Sequence, residues 1–280
     1  MMENDRYGNK GARDPVMVGV RWLKSRSNKD RTMLGAAGAV LALLLLYFII
    51  EDHDVLFVLA EGAQLIGILI LMFKTLHKKS CAGLSLQTQI LTATFLTIRL
   101  YCSLMMEFDV HTVLDFLTLA ATAFVIVTMM TKLKHTYNEQ LDTVKPWIVG
   151  VPCLVLAIIA HPNTKHMLFN RILWATCVYL EAVSVYPQLK MFQNAKIVER
   201  FTGHYLFLLG ISRFFSCAHW ILQLFDKNSF LLRVLGTGLW PPMVLLAEAV
   251  QTFILADFCY LYVKSYSQGI PVIRIPAGIV

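Results

Sequence analysis

The chain has 280 residues, 57% of them hydrophobic and 15% charged, with a mean hydropathy of +0.60. That is too apolar for a soluble domain of this length, and the apolar residues fall in runs of about 18 or more, which marks a polytopic membrane protein. The formal net charge is +7, but the basic residues lie between apolar runs or in the N-terminal tail, where they report orientation; no basic groove interleaved with stacking aromatics is visible, which argues against a nucleic-acid partner.

Residues 1–31 form a polar tail with Arg21, Lys24, Arg26, Lys29 and Arg31 near its end. The run Met33 to Ile50 follows, and FIIEDHD after it offers no small-residue cleavage site, so 32–54 reads as an uncleaved, additional N-terminal span. Further spans are expected at Val55–Phe73, Leu84–Met106, Val113–Met130, Pro146–Ala160, Leu168–Phe192, Thr202–Leu224 and Leu239–Val263, about 8 in all. Pro152 and Pro187 are tolerable inside spans when neighbours satisfy the freed carbonyls. Residues 265–280 form a C-terminal tail.

Alternate connections carry Lys74, Lys78 and Lys79; Lys132, Lys134 and Lys145; Lys190, Lys196 and Arg200; and Lys264. The positive-inside rule puts these loops and both termini in the cytosol, and the weakly basic set in the lumen. FLTIRLYCSL (Phe95 to Leu104) resembles LLGISRFFSC (Leu208 to Cys217), with Arg99 opposite Arg213 and Ser103 near Ser216. The two units share one orientation, which predicts an all-α fold of two parallel three-helix repeats and a linker helix, as in SWEET-type carriers.

Ionisable groups inside spans identify the candidate site, because each costs about 2.5 to 3.5 kcal/mol on insertion scales unless a partner or a wet cavity offsets it. Arg99, Glu181 and Arg213 lie well inside; Glu248 and Asp257 lie in the last span and Glu61 in the second. Arg99 and Glu181 point to a cavity for a carboxylate ligand, since the guanidinium fork matches that group. Arg213 and Asp257 suit structural ion pairing as well as they suit a cavity. Trp174 and Trp220 are candidate cavity walls or interface anchors, and Trp147 belongs near a membrane surface. His204 and His219 are candidate pH-sensing groups. The six cysteines are scattered without a CxxC pair, so packing is their expected role, and neither a metal nor a cofactor is expected. Nothing resembles a catalytic triad or a phosphate loop, and no enzyme is expected.

KKSCAGLS (Lys78 to Ser85), KHTY (Lys134 to Tyr137), ILWATCVYLEAVSVYPQL (Ile172 to Leu189), HYLFLLG (His204 to Gly210) and DFCYLY (Asp257 to Tyr262) resemble the ER lumen protein-retaining receptors. The resemblance covers Val55 to Val263 in order, includes the PQ motif at Pro187–Gln188, and extends to the divergent plant members with a longer N-terminus. It implies a SWEET/PQ-loop-like seven-helix domain (55–264) in ER and Golgi membranes. Such a receptor captures the C-terminal His/Lys-Asp-Glu-Leu signal of escaped ER proteins at acidic pH and returns with them through a vesicle coat.

Carried over by resemblance, Arg99 matches an arginine that contacts the signal's carboxylates, Trp174 a cavity tryptophan and Glu181 the glutamate of a pH-dependent lock; Arg213, Trp220 and Asp257 also match. Other positions depart. Phe57 and Gln64 replace an arginine and a histidine, Ser212 the lock tyrosine, Gln223 a second signal-binding arginine, His219 an asparagine, and Arg171 the glutamate that receives the signal's outer cation. Two cationic partners for carboxylates are thus missing unless Arg171 or His219 substitutes, so the expected affinity for the standard signal is altered or lost. The tail SYSQGIPVIRIPAGIV lacks the family's lysine cluster, which places coat recruitment in doubt. The alternatives are a SWEET-like carrier of a small solute and a family member without signal binding.

Overall fold

In a computed structural model of the chain, residues 54–106, 109–225, 238–268 and 273–274 are described. The tail over 1–31, the added span expected over 32–54 except Asp54, the link with Lys227 and Arg233, and most of the C-terminal tail lie outside them. The described residues form α1 (Asp54–His77), α2 (Leu86–Met106), α3 (Val110–Met130), α4 (Pro146–Ile159), α5 (Leu168–Val183), α6 (Tyr186–Ala195), α7 (Arg200–Phe225) and α8 (Trp240–Ser267). A two-residue strand, β1 (Ile197–Val198), pairs antiparallel with β2 (Ile273–Arg274).

Every apolar segment expected from Val55 onward is helical, and local chemistry explains where the ends differ. α3 begins at Val110 rather than Val113 because Asp109 and Thr112 form a capping box: Asp109 Oδ1 accepts from Thr112 N–H at 3.0 Å, and Thr112 Oγ1 accepts from Asp109 N–H at 3.3 Å. The expected span Leu168–Phe192 is bent into α5 and α6, since the Pro187 ring has no N–H and clashes with the carbonyl four residues back. Ser184 satisfies a carbonyl at the bend by donating its hydroxyl to Glu181 O at 3.0 Å.

Among the described residues, five helical segments are long and apolar enough to cross a membrane: α1, α3, the α5–α6 pair, α7 and α8. α2 has the length but carries Gln87, Gln89, Thr88, Thr92 and Arg99, and α4, with 14 residues, rises about 21 Å at 1.5 Å per residue. Large apolar side chains such as Ile66, Val127, Ile159 and Phe253 are exposed, a surface suited to lipid rather than water. The protein is a polytopic, helical membrane protein.

Packing closes a ring. α1 packs on α7 and α3, α3 on α2, α2 on α5, α5 on α8, and α8 on α7, while α4 lies against α5 and α2. α7 packs tightly against α8 at Gly210, where an added Cβ would fall 2.2 Å from Cys259 Sγ. Gly210→Ala is therefore expected to cost about 1–3 kcal/mol by overpacking, read as a lower melting temperature in detergent and restored by Cys259→Ala.

One end of the ring is plugged. Gln188 of the PQ motif accepts from Ser85 N–H at 2.8 Å and donates to Gly83 O at 2.9 Å. Asp142 accepts from the Ser85 hydroxyl and from Tyr137 Oη, both at 2.8 Å. Burial first, and then the Asp142 carboxylate beside it, push the Tyr137 phenol above its usual range, so it remains a donor. Nearby, buried Lys74 pairs with Glu199 and donates to Ala82 O at 2.8 Å and to Thr202 Oγ1 at 3.0 Å. Gln188→Leu would strand the buried Ser85 N–H and the half-buried Gly83 carbonyl, with an expected loss of about 1–3 kcal/mol in detergent unfolding. An apolar layer that includes Ile68, Leu71, Leu206 and Leu209 separates this plug from the other half of the ring.

Candidate functional site

Helical spacing brings the polar groups of five helices to one interior point. Phe57, Glu61 and Gln64 share a face of α1; Trp174, Val178 and Glu181 share one of α5; Arg213, Ser216 and Trp220 share one of α7. With Arg99 of α2 and Glu248 of α8 they line a cavity of about 60 Å³.

Glu181 bridges two arginines. Its Oε2 accepts from Arg99 Nη1 at 2.9 Å and its Oε1 from Arg213 Nη1 at 2.6 Å. Arg213 also donates to Gln64 Oε1 at 3.5 Å. Arg99 is held on its other edge by Asp115 of α3, which accepts from Nε at 2.7 Å and also from Nη2. Asp115 is 2% exposed and Arg99 8%. A buried charge cluster of this kind persists only because each charge has a close opposite partner. Glu61 Oε2 lies 2.8 Å from His111 Nδ1, and Glu248 Oε2 accepts from Ser216 Oγ at 3.1 Å.

Trp174, Val178 and Trp220 also line a second, outer chamber of about 200 Å³, completed by Trp240, Arg171 and their neighbours. His219 stacks obliquely on Phe57, with ring centroids 5.4 Å apart, and lies edge-on to Trp220 at 6.1 Å.

The structure therefore gathers Arg99, Trp174, Glu181, Trp220 and Arg213, with His219 beside them. It gives Arg213 the partner Glu181 and leaves Asp257 on an exposed face of α8. Nine residues separate Asp257 from Glu248, which at about 100° per residue is half a turn away; that corrects the grouping of Asp257 with the interior charges. Arg171 reaches only the outer chamber, where its guanidinium fastens the turn before α5: it donates to Pro162 O and to Asn163 Oδ1 at 3.0 Å, and Nη2 lies 3.1 Å from His161 Nδ1. His204 pairs with Tyr262 Oη, at the plugged end of α7. The Gln223 side chain is outside the described residues.

Asp115 was not expected at the site. It was not singled out from the sequence; it lies in the second turn of α3, buried against Arg99.

The family model for the ER lumen protein retaining receptor matches residues 80–223, a stretch that holds Arg99, Asp115, Trp174, Glu181, Arg213 and Trp220. An ER lumen protein-retaining receptor of Caenorhabditis briggsae is 33% identical, covering 75% of this chain and 93% of its own. The Arabidopsis thaliana receptor B is also 33% identical over 75% and 93%, and receptor 3 of Xenopus laevis is 30% identical over 76% and 94%. The chain belongs to the ER lumen protein retaining receptor family.

Proposed function

We propose that the chain is a multi-pass receptor of ER and Golgi membranes that retains ER-lumenal proteins by reading their C-terminal tails, with altered affinity for the standard His/Lys-Asp-Glu-Leu signal. The observation that carries this reading is the buried Arg99–Glu181–Arg213 bridge lining a cavity bordered by Trp174 and Trp220, in a chain of this family. Guanidinium groups facing a cavity suit a tail carboxylate, which would exchange with Glu181. Two departures bear on that affinity: Phe57 borders the cavity where the resemblance implies an arginine, and Ser212 is too short to act as the tyrosine of the lock. The role is that of a receptor and not of a catalyst.

The fold carrying this function is a SWEET/PQ-loop-like bundle of two parallel three-helix repeats, preceded by one extra N-terminal span, with both termini cytosolic. In support, the ring order places α3 between α1 and α2, and α8 between α5 and α7, so the third helix of each unit packs between the other two. The carrier alternative is weaker, because the Gln188 and Lys74 contacts and the apolar layer close the end opposite the cavity. Equilibrium binding of fluorescent tail peptides to the purified full chain, with free and amidated C-termini and with Arg99→Ala, tests the reading: binding requires the free carboxylate and is lost in the variant.

A further inference from the structure

The charge balance of the cavity differs from what an acidic tail needs. Arg99 and Arg213 bring two positive charges, and Glu181 and Asp115 already match them through close contacts. Glu61 and Glu248 are then in excess, with His111 Nδ1 2.8 Å from Glu61 Oε2. Glu61 is 5% exposed, and its Oε1 is buried without a hydrogen-bond partner among the described atoms. An orphaned carboxylate oxygen lining a cavity calls for a donor.

The dimensions narrow the donor's class. The inner chamber, about 60 Å³, has room for a small polar head group, since about 10–15 Å³ of such space already holds one water. The outer chamber, about 200 Å³, is apolar and walled by Trp174, Trp220 and Trp240. The first two walls are common to both chambers, so a group passing inward runs between indole rings, which favour a cation.

We propose that this cavity takes the side chain of a lysine in the bound tail, its ammonium against Glu61 and Glu248 and its alkyl stem between Trp174 and Trp220. The inference rests on the tail-receptor reading and names the tail class: one with a lysine in place of the glutamate of the acidic pair. Arg171 at the outer chamber reinforces the preference, because it repels a cation left at the rim and favours one drawn inside.

The experiment compares two peptides with free C-termini on the purified full chain in nanodiscs, one ending His-Asp-Glu-Leu and one ending His-Asp-Lys-Leu. The lysine tail is expected to bind at least about tenfold tighter, and Glu248→Gln and Glu61→Gln each to remove most of that advantage. A tighter acidic tail, or a lysine preference that both glutamine variants leave intact, overturns the inference while the receptor reading stands. Binding of neither tail overturns both.

Discussion

Glu181→Ala is expected to destabilise the protein by about 3–5 kcal/mol, the largest effect of any single substitution in the cavity. Both oxygens of Glu181 are engaged, one by each arginine, at 2.9 and 2.6 Å. Removing the carboxylate leaves Arg213, 6% exposed, with only the 3.5 Å contact to Gln64 among its described hydrogen bonds. Arg99 would keep Asp115. The uncompensated charge is thus Arg213, and the double variant Glu181→Ala with Arg213→Leu should lose less stability than Glu181→Ala alone, a non-additivity that a double-mutant cycle in detergent measures. A loss under about 1 kcal/mol for Glu181→Ala would mean that water compensates both guanidinium groups and that the bridge is not the keystone of the ring.

The second large effect concerns affinity. Asp115 grips the Nε and Nη2 edge of Arg99, the strongest geometry a carboxylate offers a guanidinium. A tail carboxylate meets an arginine that is already neutralised. Asp115→Asn keeps the shape and removes the charge, so affinity for a His-Asp-Glu-Leu tail should rise about tenfold, or about 1.4 kcal/mol, as read by fluorescence anisotropy. Weaker binding would give Asp115 the opposite role, that of aiming Arg99 at the ligand.

Much of the fold could be read from hydropathy, because each apolar run from Val55 onward had one way to satisfy its backbone away from water. The interior arginines and Glu181 were also legible, being too costly in lipid to face outward. What the sequence concealed was facing. Asp257 and Glu248 lie in the same apolar run, yet only Glu248 points inward, since α8 turns half a revolution between them. Asp115 lies near the start of an apolar run, and nothing in hydropathy shows that it faces Arg99. Arg171 lines the outer chamber while its guanidinium is held to the carbonyl of Pro162, a turn contact that hydropathy does not encode.

The central claim, that this chain binds carboxyl-terminal tails, is tested most directly by one titration. Purified full chain is mixed with a His-Asp-Glu-Leu peptide and with its C-terminal amide at about pH 5.5 and about pH 7.4, a range that brackets histidine ionisation. The account predicts weak but saturable binding of the free acid that is abolished by amidation and by Arg99→Ala. Equal binding of acid and amide, or binding unaffected by Arg99→Ala, would contradict it.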